Sequence, residues 1–391
     1  MATGAADGWY RMKDTPASTL LHLGPGLANG LANIHNARRS SSGMVNIIGE
    51  HSASHLKYNP PLMSDIEGLA RSLSHCVRRA ESSSSIAWDA ATAVAKASGH
   101  PGQIATLILP GDTSWQQAGT SAIPPRAAAT RKAPDTARVE HVARVLRSGE
   151  PTLIILGNKA TRGVALERAG KVAAATGARL GSQFFSARIE RGAGRVPIER
   201  IPYAVPLAQA FLKDFRHIVT VETSEPVAFF AYPDRPSLLK AEGTLVHPLV
   251  EADEDSALAF EMLLDMLGAS ATRPTLPPRV ETPVPSGALN PLSIAHALAA
   301  ALPENAIVVD ESLTTGRETM GHTMGAAPHD LINNMGGSIG YATPVATGVA
   351  LACPDRRVFC MVGDGSAMYT IQSLWTQARE GLYITTVIFA N

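Results

Sequence analysis

Gly363-Asp364-Gly365-Ser366, together with Asn391 further on, are the residues of this chain best suited to hold a metal-bound polyphosphate. Asp364 and Asn391 supply oxygen ligands, which hard divalent cations prefer. Gly363 and Gly365 let the backbone approach closely, and Ser366 opens a helix whose free N–H groups attract phosphate. The intervening sequence must bring the two ligands together. Arg357–Val362 is a short apolar run suited to a buried parallel strand. Ile371, Leu374, Trp375 and Ala378 recur at helical spacing, with Gly381 as a stop. Ile384–Ala390 is β-branched and apolar and reads as the return strand. A right-handed crossover ends both strands on one edge of the sheet, which predicts Asp364 and Asn391 side by side.

A second group of residues suits proton transfer. His22 follows the apolar run Thr19–Leu21 and precedes Gly24-Pro25-Gly26, so it is expected at a strand end. Histidine is a residue type suited to passing a proton to a substrate; a hydrogen-bonded structural histidine is the alternative. Glu50 ends another strand, and His51 and His55 follow it. His51 and His55 are expected either to line the same cavity as His22 or to be solvated loop residues, the second reading applying more to His55. No spacing supplies three ligands and a second shell for zinc.

Composition narrows the classes. The 391 residues carry 34 basic and 34 acidic side chains with no charged block, which gives no support to nucleic-acid or membrane-surface binding. Hydrophobic residues make up 45%, ample for buried cores. Cys76, Cys353 and Cys360 lack metal spacing and read as structural thiols of a reducing compartment. No apolar stretch is long enough to span a bilayer and no signal-peptide pattern opens the chain, so a cytoplasmic protein is expected.

Two polar, proline-rich linkers, residues 119–135 and 270–287, divide the sequence. They leave segments 1–118, 136–269 and 288–391, each alternating short apolar runs with helical patterns. Strands are expected at Thr19–Leu23, Val45–Ile48, Ala105–Leu109, Thr152–Leu156, His217–Val221, Gly243–His247 and Ala306–Val309. Helices are expected at Asn29–Arg38, Ser83–Ala97, Ala165–Thr176 and Pro291–Ala301, the last capped by Asn290. This alternation predicts an α/β fold of three modules with largely parallel sheets.

The Gly-Asp-Gly-Ser turn with its distant Asn resembles the diphosphate–magnesium motif of thiamine-diphosphate (ThDP) enzymes. Asn334–Gly348 resembles the loop and helix that precede this motif in the 2-oxo-acid decarboxylase and acetohydroxyacid synthase group. Ala2–Gly8 and Leu21–Asn29 resemble the group's pyrimidine-binding domain. The resemblance covers nearly the whole chain. It implies pyrimidine-binding, central and diphosphate-binding domains, and ThDP with Mg²⁺ as cofactors.

Residue by residue, the resemblance implies Asp364 and Asn391 as metal ligands, with Gly363, Gly365 and Ser366 at the diphosphate. Ile339 would prop the cofactor into its bent shape, Gly337 would meet the pyrimidine amino group, and Thr314 would add a diphosphate contact. His22 and His51 would act on the substrate side. The family's activating Glu falls three residues before the position of Ala2, and its third metal ligand falls two residues beyond the Asn. The first and last modules are therefore expected to be incomplete, and this chain as it stands inactive. Pro61-Leu62-Met63 replaces the Phe-Gln-Glu element of acetohydroxyacid synthases and their flavin-associated element is missing, so FAD is not expected. A second histidine of benzoylformate decarboxylase falls near Ala231. The implied activity is decarboxylation of a small 2-oxo acid, followed by protonation or carboligation, in a homodimer or homotetramer. The alternative is a non-catalytic fragment or partial gene product lacking the activating Glu.

Overall fold

Strand β1 (Ala17–His22) pairs parallel with β2 (Met44–Glu50), and β2 pairs parallel with β4 (Ile104–Pro110), which also takes β3 (Cys76–Arg79) on its other side. The resulting order is β1-β2-β4-β3. In the register, His22 stands opposite Gly49, and Glu50 opposite Pro110, so their carboxyl ends form one edge. In open α/β sheets that edge is where ligands bind. Near-continuous apolar strands are expected where helices cover a sheet. Accordingly Met44, Ile48, Ile104 and Ile108 are buried, packed with Leu27 and Ile34 of the helix Leu23–Arg39.

The computed structural model describes residues 1–118, 123–124, 126–317 and 319–390, which form two compact units. The first contains residues 1–130, 309–313 and 334–391; the second contains residues 131–308 and 314–333. The second unit holds a five-stranded sheet built from β5 (Thr152–Leu156), β6 (Arg179–Ser182), β8 (Glu199–Arg200), β9 (His217–Val221) and β10 (Leu245–Val250). Its order is β10-β9-β5-β6-β8, and every pairing is parallel. Leu153, Ile155 and Ile218 of this sheet pack on Leu212 and Phe215. The same unit also contains an antiparallel strand pair, β7 (Ile189–Arg191) with β12 (His329–Asn333).

The boundary between the units falls within β11 (Ala306–Glu311). The end of β11 belongs to the first unit, beside β13 (Val358–Gly363), which pairs parallel with β14 (Ile384–Phe389). The α/β class with largely parallel sheets is as expected. Asn290 caps the helix Pro291–Ala301 through Ser293, which returns the bond in a capping box.

Two helices of the first unit cross at glycines. A Cβ on Gly8 would lie 2.2 Å from Val345 O, and one on Gly348 would lie 1.8 Å from Ala5 O. The helix Ala2–Lys13 thus lies directly against the helix Ala342–Ala352, which follows the glycine-rich loop. Only glycine permits so close an approach. At the same junction Asp7 and Arg11 form a buried 2.8 Å ion pair. Ser42 and Ser40 donate further hydrogen bonds to Asp7 at 2.5 and 3.3 Å. A buried ion pair is tolerable when its remaining valences are met in this way.

Candidate functional site

The glycine-rich loop, residues 334–341, is held by side chains from two other elements of the first unit and from its own first residue. At the end of β11, Glu311 is 3% exposed and accepts three backbone N–H groups. Gly340 donates to Oε1 at 3.0 Å; Tyr341 and Ala342 donate to Oε2 at 3.0 and 2.9 Å. These are free donors at the start of the helix Ala342–Ala352, which a carboxylate satisfies well. Asn334 accepts from the N–H groups of Gly336 and Gly337 and donates to Ser338 O. From the helix Leu23–Arg39, Asn36 brackets Ser338 by donating to its O at 2.8 Å and accepting from its N at 3.2 Å, while His35 Nε2 lies 3.0 Å from Gly336 O.

Burial pushes the Glu311 carboxyl up to about 7, against the pull of the three N–H groups and Asn334. Burial likewise raises the Tyr341 phenol well above its ordinary value. Arg11 stacks over that ring, 5.4 Å from its centre. The loop and the helix Ala2–Lys13 are therefore electrostatically coupled.

Positive φ angles at Gly337 (75°) and Gly340 (87°) shape the loop. A Cβ on Gly340 would also lie 2.5 Å from Tyr369 Cβ. Between the two glycines Ile339 is 39% exposed, an apolar side chain held outward in a polar loop. Thr370 donates to Gly340 O at 2.9 Å, which joins the loop to the segment after Ser366.

At the carboxyl end of β13 the chain turns through Gly363 into the short helix Asp364–Met368. Asp364 is exposed, and its Oδ1 accepts from Gly365 N at 2.7 Å. A Cβ on Gly365 would meet nothing within 4 Å, so the surface there is open. Ser366 is 2% exposed, and its Oγ has no hydrogen-bond partner among the described residues. Buried hydroxyls are almost always bonded. The parallel register sets Gly363 opposite Phe389, so β13 and β14 end on one edge. Asn391 lies outside the described residues.

His22 and His51 lie at the carboxyl edge of the first sheet. His22 is exposed at the end of β1, and the chain enters the next helix through Leu23, which is buried with φ at 55°. A leucine in the left-handed region is strained, and such strain concentrates at functional sites. Glu50 is buried; its Oε1 accepts from His51 N at 2.7 Å, and Arg79 reaches its Oε2 at 3.5 Å. His51 Nε2 is buried without a hydrogen-bond partner among the described residues. His55 is exposed, its ring 5.8 Å from that of His51. Thr314 is exposed in the turn after Glu311 and is counted with the second unit. Ala231, likewise exposed, also belongs to that unit.

The structure thus gathers Gly337, Ile339, Gly363, Asp364, Gly365 and Ser366 around one loop and one strand end. Sequence reasoning missed the residues that hold them: Glu311, Asn334, Asn36 and His35. A signal existed for Asn334, since asparagine two residues before glycine favours a side-chain-closed turn.

Comparison with known proteins gives a consistent neighbourhood. The family model described as thiamine pyrophosphate enzyme, N-terminal TPP binding domain, matches residues 1–70, and that described as the C-terminal TPP binding domain matches residues 315–391. The chain is 47% identical to an acetolactate synthase large-subunit-like protein, IlvX, of Mycobacterium tuberculosis, across all of this chain and 75% of that one. It is 26% identical to the benzoylformate decarboxylase of Pseudomonas aeruginosa, across 99% of this chain and 76% of that one. Among solved structures, a thiamin diphosphate-dependent enzyme from Mycobacterium smegmatis superposes with a TM-score of 0.84 at 21% identity, covering 99% of this chain and 78% of the other. The 4-hydroxybenzoylformate decarboxylase of Rhodococcus jostii gives 0.79 at 20% identity, covering 99% and 76%.

Proposed function

The chain belongs to the thiamine pyrophosphate enzyme family, whose members here are 2-oxo-acid decarboxylases and synthases, and we propose that it binds thiamine diphosphate through Mg²⁺ at the loop and strand end described above. In this reading its substrate is a small 2-oxo acid, for decarboxylation or carboligation, in a cytoplasmic homodimer or homotetramer with the cofactor at a subunit interface; turnover of a 2-oxo acid by this chain decides between this reading and the non-catalytic alternative. The pyrimidine end falls to residues 1–118 and the diphosphate end to residues 288–391, with residues 136–269 as a separate module.

The residues present fit this group. Asp364 offers an exposed carboxylate to a hard cation. Gly365 leaves open space for a phosphate, and Ser366 Oγ is a buried polar atom with no partner among the described residues. Asn391 completes the proposed metal ligands, and Thr314 is proposed as a further diphosphate contact. Ile339 would prop the cofactor, Gly337 would meet its pyrimidine, and His22 and His51 would hold or move a proton on the substrate side. When bound, thiamine diphosphate supplies a nucleophilic carbon and an electron sink for breaking the bond beside a 2-oxo group. The chain's own part is to fix the loop through Glu311 and to neutralise the diphosphate.

The observation that carries this reading is the meeting of the clamped glycine-rich loop with the Gly363–Ser366 turn, through Thr370 and Gly340. Calorimetric titration with thiamine diphosphate tests it. Saturable binding in the presence of Mg²⁺, abolished by EDTA, is expected; absence of binding with both at millimolar concentration overturns it. Acetolactate formation from pyruvate against CO₂ release from benzoylformate then separates the two substrate sub-classes.

A further inference from the structure

The second unit carries a run of imidazoles that the proposed function does not use. His141 lies on the helix Thr136–Arg147, His247 in β10 and His217 at the start of β9. His141 Nε2 meets His247 Nδ1 at 2.9 Å, and His247 Nε2 meets His217 Nδ1 at 3.0 Å. His217 Nε2 then reaches Glu150 Oε2, just before β5, at 2.8 Å. His217 and His247 are both buried.

Counting hydrogens fixes the state of the chain. An ionised carboxylate only accepts, so a neutral His217 donates from Nε2 and accepts at Nδ1. His247 must then donate from Nε2 and accept at Nδ1, and His141 must donate from Nε2. Each contact holds one hydrogen. One additional proton fits at His141 Nδ1, and its charge can shift along the chain. A second would set N–H against N–H across a contact of about 3 Å. His247 spends its two nitrogens on two different partners, so the three rings cannot converge on one metal ion.

We propose that Glu150, His217, His247 and His141 form a pH-sensitive clasp, which ties the helix Thr136–Arg147 to β9 and β10 and opens when the chain takes up a second proton. Adjoining segments bring other charges. Glu140 and Arg144 flank His141 on its helix, and Arg138 of that helix is engaged by Glu254. Arg216, preceding His217, donates to Gly243 O. On the helix Ser256–Leu267, Glu261 pairs with Arg168 and Asp265 accepts from Ser270. Burial, with His141 and His217 beside it, holds His247 below the ordinary histidine range. The unfolded chain then binds more protons, so this contribution is whole above the ordinary histidine pKa and is lost as pH falls through it towards the lower folded value.

The test uses the full chain. Ring ¹⁵N–¹H spectra at pH 8 should show all three imidazoles as Nε2–H tautomers, with His247 the last to take a proton on acidification. Hydrogen exchange of the helix Thr136–Arg147, corrected for intrinsic rate, should accelerate between pH 7 and 5 in the wild type. The acceleration is expected to approach tenfold for each pH unit by which His247 is depressed. His247→Gln, which can still donate and accept but cannot titrate, should lose that acceleration; His247→Leu should exchange fast at every pH. Independent titration of the three rings with ordinary midpoints, or an unchanged acceleration in His247→Gln, overturns the proposal. If neither variant folds, the wild-type tautomers and order of protonation decide it.

Discussion

Glu311 and Tyr341 meet across thirty residues of sequence: the backbone N–H of Tyr341 donates to Glu311 Oε2 at 3.0 Å, in a site with almost no solvent. Gly340 and Ala342 add two more donors to the same carboxylate. Removing the acceptor leaves three buried N–H groups unmet, and each such loss costs about 1–3 kcal/mol. Glu311→Ala is therefore expected to destabilise the first unit by at least about 3 kcal/mol in chemical denaturation. A change within about 1 kcal/mol would show that the loop is held by other means.

The same carboxyl gives a pH dependence of definite sign. Its folded value, about 7, lies above its ordinary one, so the folded protein binds more protons than the unfolded chain in between. Its stabilising contribution is present below the ordinary carboxylate range and is lost as pH rises through about 7. Glu311→Gln cannot titrate and forfeits one N–H contact at every pH. Its stability relative to wild type should consequently improve from pH 5 to pH 8. A flat difference curve would mean that the three N–H groups outweigh burial and that Glu311 is ionised throughout.

Gly348 and Gly8 set the helix crossing beneath the loop. A Cβ at Gly348 would lie 1.8 Å from Ala5 O, a backbone atom that cannot rotate away. Overpacked cores typically lose about 1–3 kcal/mol, and backbone collisions more. Gly348→Ala should therefore lower the unfolding midpoint sharply. Gly365→Ala, with nothing within 4 Å of its Cβ, should leave stability unchanged and serves as the control.

How much of this was legible beforehand depended on where each residue finds its partners. Thr152–Leu156 and His217–Val221 are strands at the expected residues because they are short apolar runs buried at every position. The pair Ile189–Arg191 and His329–Asn333 escaped notice, since five of their eight residues are charged or polar and their burial rests on tertiary partners. Arg188, for example, meets Asp330 at 2.7 Å. The Gly363–Ser366 turn could be read because its residue types are themselves the chemistry. Glu311 could not be read as a clamp, because the atoms it holds are backbone N–H groups that carry no sequence signature.

Ser366 separates structure from ligand binding. Its Oγ is buried and has no partner among the described residues, so removing it removes a desolvated polar atom. Ser366→Ala should keep or slightly raise thermal stability while weakening thiamine diphosphate binding several-fold. Asp364→Asn should weaken Mg²⁺-dependent binding more, on the order of 10–100-fold, because a charged cation ligand is lost. Calorimetric titration of both variants checks the pair. Unaltered cofactor affinity in both would place the diphosphate elsewhere.

His22 makes the last prediction, because its position suits the substrate rather than the cofactor. It is exposed at the carboxyl end of β1, is followed by the strained Leu23, and lies on the same sheet edge as Glu50 and His51. General acid–base groups contribute roughly 10²–10⁴-fold to turnover. His22→Gln should lower kcat on a 2-oxo acid within that range, with thiamine diphosphate affinity unchanged. The same substitution at His55, exposed beyond this edge, should change kcat less than about twofold if only His22 transfers a proton. Equal losses at both positions, or a fall in cofactor affinity for His22→Gln, would assign His22 to structure and leave proton transfer to His51.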